Sequence, residues 1–398
     1  MREHFPIFDK EEDKPLIYLD SAATSQKPKE VIEAMSSFLS TEYGTVHRAI
    51  YGLAAKATER HNEVREAVRQ FIGAKSTEEV IFTRGTTESI NLVAASFGKT
   101  FVEEGDEILV VETEHHSNII PWQMLCAERK ARLCIIPVDD NGEISLEVLA
   151  SILSNKVKLI AIAHVANATG VIHPIAEVIA MAHSCGAKVL VDAAQSISHL
   201  PISVQDLDVD FLAFSGHKMY GPTGIGVLYG KKELLEKMSP YQGGGDMVET
   251  VTFEKTTYQQ LPLKFEAGTP SITEVMGLGA AINFIQKIGF KTIQAYDHQL
   301  IEYAIKRLVE VPGLKLLSYP KKRSSIISFN CAGCHPLDVG TFLDLRGIAV
   351  RTGHLCAQPA LKRLGVTSTI RVSFAIYNTK EEIDILVNAL QQTLQVLR

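Results

Sequence analysis

Between residues 80 and 230, seven short apolar runs rich in β-forming residues alternate with turn or helix patterns: EVIFT, EILVVE, LCIIPVD, KLIAIAHV, KVLVD, FLAFS and GVLYG. A strand with one solvated face shows a polar residue at every second position, whereas these runs are apolar almost throughout. The rhythm therefore implies an α/β architecture in which helices cover both faces of a mainly parallel, seven-stranded sheet. From about residue 290 the pattern changes to a helix near 297–310, strands near SSIISFN and STIRVSFAIYN, and a closing helix over about 379–397. The expected organisation is a large domain over residues 18–285 and a smaller α+β domain over 286–398, with residues 1–17 packed with it. No internal repeat or low-complexity linker interrupts the chain.

A chain of 398 residues that is 46% hydrophobic can bury a core of that size. Its net charge of −6, without a long basic run, argues against nucleic acid or an anionic membrane as a partner. The charged opening MREHFPIFDKEEDK lacks the apolar stretch of a secretory signal, and no window of about 18 apolar residues follows. The expected location is cytoplasmic, where six scattered cysteines remain thiols.

In such sheets ligands gather beyond the carboxyl ends of the strands, which directs attention to polar residues that follow apolar runs. Four places qualify. In EVIFTRGTTESINLV a strand passes through Gly85, Thr86 and Thr87 into a helix, which offers free N–H groups and two hydroxyls to an anion. Simple capping of that helix by a threonine is the alternative. In KVLVDAAQS, Asp192 ends a strand and Gln195 follows, and a carboxylate there can pair with a ring nitrogen or cap a helix. In FLAFSGHKMYG, Ser215, His217 and Lys218 share a loop beside apolar segments, where a lysine has reason to lose its proton. In RTGHLCAQP, Cys356 has Arg351 and His354 nearby, and basic neighbours favour the nucleophilic thiolate.

Taken together these segments resemble the fold-type I pyridoxal-phosphate (PLP) enzymes, within them the class V aminotransferase-like group, and most closely the group II cysteine desulfurases of the SufS type. The resemblance spans about Tyr18 to Asn378. It implies that Lys218 carries PLP as a Schiff base, Asp192 contacts the pyridine nitrogen, and Gln195 reaches the phenolic oxygen. Thr86, Thr87, Ser215 and His217 would hold the phosphate, His115 of ETEHHSN would stack on the ring, and Asn167 of HVANATG would lie near its phenolic side. His116 keeps the reading of a surface loop histidine, and a turn role for Asn167 stays open.

Arg371 alternates with the apolar Ile370 and Val372, which alone means a solvated strand face, but the resemblance gives it the substrate carboxylate. FEAGTP, residues 265–270, resembles a stretch that crosses to another subunit, making Thr269 a phosphate contact in trans and implying a homodimer. The implied activity is conversion of L-cysteine to L-alanine with a persulfide on Cys356, for iron–sulfur cluster assembly. A SufE-like or SufU-like acceptor is implied too, and selenocysteine remains open as a substrate. One departure stands out: the family loop commonly has two histidines before the cysteine, whereas here His354 is followed by Leu355. CAGCH at 331–335 matches a haem-attachment pattern, yet without an export signal it reads as chance, and no metal site is expected.

Overall fold

The computed structural model describes residues 1–9, 15–47 and 49–397. All seven apolar runs form strands: β1 (Val80–Thr83), β2 (Glu107–Val111), β3 (Arg132–Ile136), β4 (Val157–Ala163), β5 (Lys188–Asp192), β6 (Phe211–Ser215) and β7 (Gly226–Gly230). They join into one sheet in the order β1-β7-β6-β5-β4-β2-β3. The ladders from β6 to β3 are parallel, while β7 runs antiparallel to both β6 and β1. Two successive reversals restore the direction, so the carboxyl ends of β1, β2, β4, β5 and β6 share one edge.

Both faces of the sheet are covered. Leu109, Val111, Ile160, Ile162, Val189 and Val191 enter one core, whereas Ile108, Val110, Leu159, Ala161 and Leu190 enter another. Successive side chains thus serve opposite layers, which is why these strands lack polar alternation.

A second, antiparallel sheet contains β8 (Leu314–Leu316), β9 (Ile326–Cys331), β10 (Arg351–Gly353) and β11 (Thr369–Ser373), in the order β8-β9-β11-β10. Its core includes Ile327, Phe329, Ile370 and Val372, and residues of the helices Phe290–Leu308 and Lys380–Leu397. The first of these helices starts earlier than the sequence pattern indicates, because Gly289, at φ 82°, ends the preceding helix Ile272–Ile288 and the chain re-enters a helix at once. β11 is shorter than STIRVSFAIYN suggests. After Ser373 the chain turns, and the Ala375 N–H donates to Asn378 Oδ1 at 2.8 Å.

The N-terminal residues touch both units. Ile17 and Leu19 belong to the smaller core, but Phe5 packs in the larger one, with its ring 4.8 Å from Tyr377 and 5.7 Å from Phe284. Among the described residues no helix is long and apolar enough to cross a membrane.

Candidate active site

A cavity of about 270 Å³ lies at the shared carboxyl edge of the large sheet, and its walls come from both units. Asp192, Lys218, Cys356 and Arg371 all line it. Asp192 closes β5 and accepts the Ala194 N–H on Oδ1 at 2.8 Å, so it stabilises a turn; no helix follows for it to cap. Lys218 ends a single helical turn, Gly216–Lys218, directly after β6. Burial is the strongest influence on both groups, raising the carboxyl of Asp192 and lowering the amine of Lys218, while each charge opposes the other's shift. A lysine under that pressure is a source of neutral amine. Below Asp192, the buried Glu114 accepts from Asn118 Nδ2 at 2.7 Å and the Ala163 N–H at 2.8 Å, and burial pushes its carboxyl up to about 8.

The anion cradle forms beyond the carboxyl ends of β1 and β6, across the start of β7 that lies between them. Helix Thr86–Phe101 begins without a side-chain cap, so the capping alternative for the threonines is not realised. Instead the Thr86 N–H donates to Ser215 Oγ at 2.8 Å, and the two hydroxyls lie 2.7 Å apart. Gly226 of β7 makes this approach possible, because a Cβ there would stand 2.5 Å from Gly85 Cα. Thr87 and His217 complete this wall. Burial, helped by the charges of Lys218 and Lys27, pushes the His217 imidazole down to about 4.

On the opposite side, His115 lines the cavity, with its Nδ1 accepting the Ser117 N–H at 3.1 Å. Burial, then Lys218, His116 and Arg371, push this imidazole down to about 4, which leaves it neutral near pH 7. Gln195 donates from Nε2 to the Ala22 carbonyl at 2.7 Å. Asn167 does sit in a turn, but its side chain is also committed: Nδ2 donates to the Leu355 carbonyl at 2.8 Å, while its own carbonyl accepts from Arg371 Nη1 at 3.0 Å. The solvated-face reading of Arg371 is corrected, since its residue is 3% exposed.

The cysteine loop runs from β10 into helix Gln358–Arg363. Leu355 and Cys356 adopt successive left-handed conformations, φ 55° and 53°. Leu355 is buried against Ala168, Ala357 and Leu361, so the residue that departs from the family pattern anchors the loop through apolar contact.

Of the residues given a cofactor, substrate or catalytic role by the resemblance, Thr269 alone does not line this cavity: it lines a separate groove with Arg84, Glu88 and Tyr241. His116, read as a surface loop histidine, is partly exposed in the turn His116–Asn118 but makes two contacts that this reading did not include. Its N–H donates to the Cys356 carbonyl at 2.8 Å, and its Nε2 accepts the Gln358 N–H at 3.2 Å. Sequence reasoning also missed Asp20, which accepts from Arg371 Nη2 at 3.0 Å, and Lys27, whose Nζ donates to the His217 carbonyl at 2.9 Å. Asp20 follows the apolar run LIYL and could have been found by the rule applied to Asp192. The CAGCH histidine, His335, caps helix Pro336–Asp344 by accepting the Leu337 N–H at 3.3 Å. Among the described residues no group of three or more His, Cys, Asp or Glu side chains is arranged to hold a metal.

The donor set suits PLP: an amine, a carboxylate near it, an N–H and hydroxyl cradle, and a neutral imidazole surround one cavity. Asn167 Oδ1 and Arg371 Nε are buried without a hydrogen-bond partner among the described residues, so polar capacity remains for a ligand.

Residues 17–386 match the family model for aminotransferase class-V. A cysteine desulfurase of Synechococcus elongatus is 49% identical over 98% of this chain, which spans 63% of that relative's length. A cysteine desulfurase of Shigella sonnei is 49% identical over 100% of this chain and 98% of its own. The structure of cysteine desulfurase CsdA from Escherichia coli, in an S-sulfonic acid form, superposes with a TM-score of 0.93 at 42% identity, covering 100% of this chain and 98% of that one.

Proposed function

This chain belongs to the aminotransferase class-V family and to the cysteine desulfurases within it, and from that premise we propose that it converts L-cysteine to L-alanine and takes the sulfur as a persulfide on Cys356. The observation that carries the proposal is the convergence of Lys218, Asp192, Arg371 and Cys356 on one cavity.

Family membership implies PLP, which Lys218 would hold covalently, Asp192 and Gln195 would contact at the ring, and Thr86, Thr87, Ser215 and His217 would hold at the phosphate. When bound it supplies an electron sink for the carbon skeleton of an amino acid. Arg371 offers a guanidinium fork to the substrate carboxylate. Lys218 Nζ, once neutral, removes the proton from Cα, and His115 moves protons near the ring. Cys356 Sγ attacks the substrate sulfur: an S–S bond forms, the Cβ–S bond breaks, and Cβ retains the electron pair and gains a proton. Sulfur is oxidised to the sulfane level as carbon is reduced, so L-cysteine and the Cys356 thiol become L-alanine and a Cys356 persulfide with no outside oxidant.

The finer reading is a SufS-type cytoplasmic homodimer, built from a large domain over 18–285 and a small one over 286–398. Thr269 contacts the phosphate of the second copy, and a SufE-like or SufU-like protein accepts the sulfur for iron–sulfur assembly. The position of Thr269 outside the Lys218 cavity is compatible with that role. Turnover of L-selenocysteine beside L-cysteine decides whether the activity extends to selenium.

The test is mass spectrometry of peptides after incubation with L-cysteine. One added sulfur on the peptide containing Cys356 supports the reading, and addition confined to any other cysteine refutes it.

A further inference from the structure

Cys356 is braced on its carboxyl side by a residue that has no place in the reaction as described above. The His116 peptide N–H donates to the Cys356 carbonyl at 2.8 Å, and the His116 ring accepts the Gln358 N–H on Nε2 at 3.2 Å. The same ring lies 5.7 Å from that of His354, at an interplanar angle of 30°, and His354 Nδ1 accepts the Cys356 N–H at 3.0 Å. His116 thus reaches the peptide groups at and beyond the cysteine, while Asn167 holds the Leu355 carbonyl before it.

The loop needs such support. Two successive residues with side chains, Leu355 and Cys356, occupy the left-handed region at φ 55° and 53°. Neither has glycine's freedom there, and such a backbone persists only where surrounding contacts determine it. Burial of Leu355 supplies one constraint and the His116 bonds supply others.

We propose that His116 is a positioning residue for sulfur transfer, its ring and peptide N–H holding the Cys356 loop so that Sγ faces the cavity shared with Lys218. This rests on the desulfurase reading. A nucleophile displaced by about 1 Å can lose up to two orders of magnitude in rate, whereas steps that do not use Cys356 are spared.

The experiment compares the holoenzyme with His116→Ala, His116→Phe and His116→Gln. Two first-turnover rates are followed after mixing with L-cysteine: the change in cofactor absorbance, and the gain of sulfur on the Cys356 peptide in quenched samples. With Ala and Phe, sulfur gain is expected to slow roughly tenfold or more while the absorbance change stays within about twofold. Gln, whose side-chain carbonyl can replace Nε2 as acceptor, is expected to recover most of the rate. A general folding defect would slow both signals together, and that result overturns the proposal. So does sulfur gain at the unaltered rate in His116→Ala, or a Gln variant as slow as Ala. If the unaltered enzyme adds no sulfur to Cys356, the desulfurase reading fails and this proposal falls with it.

Discussion

Arg371 donates from Nη2 to Asp20 Oδ1 at 3.0 Å, joining the smaller sheet to the segment that follows the apolar run LIYL, with both side chains largely out of solvent. One Nη1 N–H goes to the Asn167 carbonyl and Nε is buried without a partner among the described residues, so each Nη nitrogen keeps a second N–H for a ligand. Asp20 holds the guanidinium at the cavity wall and offsets part of the penalty of burying it. Arg371→Lys retains charge but loses the fork. If the fork binds the substrate carboxylate, KM for L-cysteine should rise about 10- to 100-fold, the equivalent of one charge-assisted bond of about 1.5–3 kcal/mol. Steady-state kinetics check this, and an unchanged KM would exclude Arg371 as the carboxylate site.

Lys218→Ala removes the amine that ends the turn after β6. PLP should no longer be fixed to the protein by borohydride reduction, and turnover should fall below detection. A reducible linkage that survives would point to another lysine, of which the half-buried Lys27, its ammonium pushed down to about 8 by desolvation, is the nearest rival by chemistry.

Cys356→Ser keeps the loop's backbone contacts but removes the sulfur nucleophile. The cofactor absorbance and its response to L-cysteine should persist while persulfide formation and sulfide release are lost. Sulfide release at the unaltered rate would mean that the substrate sulfur leaves by another route.

Much of this arrangement was legible because the large sheet is buried on both faces. The seven apolar runs had no competing interpretation, and the polar residues at their ends fell on one edge by parallel topology. The pattern misled where burial has other causes. Ala375, Ile376 and Tyr377 continue the apolar alternation of β11, yet they lie past its end in a turn packed against the larger core. Alternation alone puts Arg371 on a solvated face, and only the resemblance placed it at the substrate, because local alternation cannot register the Asn167 turn that covers it. His116 was missed for a similar reason: its ring bond is to a residue 242 positions away, and nothing local in EHHSN distinguishes it.

Arg65 and Glu266 form a buried fork, Nη1 to Oε1 at 2.6 Å and Nη2 to Oε2 at 2.8 Å, and Glu266 also accepts the Phe82 N–H at 2.7 Å. The pair fastens FEAGTP to the edge strand β1. Glu266→Ala leaves an uncompensated buried guanidinium and should lower stability by about 3–5 kcal/mol. Arg65→Met combined with Glu266→Leu removes both charges and should recover much of that loss, short of the bond to Phe82. Urea unfolding of the two variants checks the order, and a double variant less stable than Glu266→Ala would contradict it.

His173 gives the stability of the fold a pH dependence whose sign can be stated. The residue is 2% exposed, its Nε2 lies 3.3 Å from Thr113 Oγ1, and its Nδ1 is buried without a partner among the described residues. Burial, with a smaller contribution from His164, pushes its pKa from 6.5 down to about 4. The unfolded chain therefore binds a proton below about pH 6.5 that the folded chain refuses until about pH 4. Stability is unaffected by this group above 6.5, declines as pH falls through that window, and levels off below 4. The slope reaches at most about 1.4 kcal/mol per pH unit. His164, also pushed down to about 4 by burial, adds a contribution of the same sign. His173→Gln keeps a polar group near Thr113 but cannot titrate, so it should lose less stability than the unaltered protein between pH 7 and pH 5, although some slope from His164 remains. Urea midpoints at the two pH values measure the difference, and equal losses in both proteins would show that His173 exchanges its proton as readily in the fold as in water.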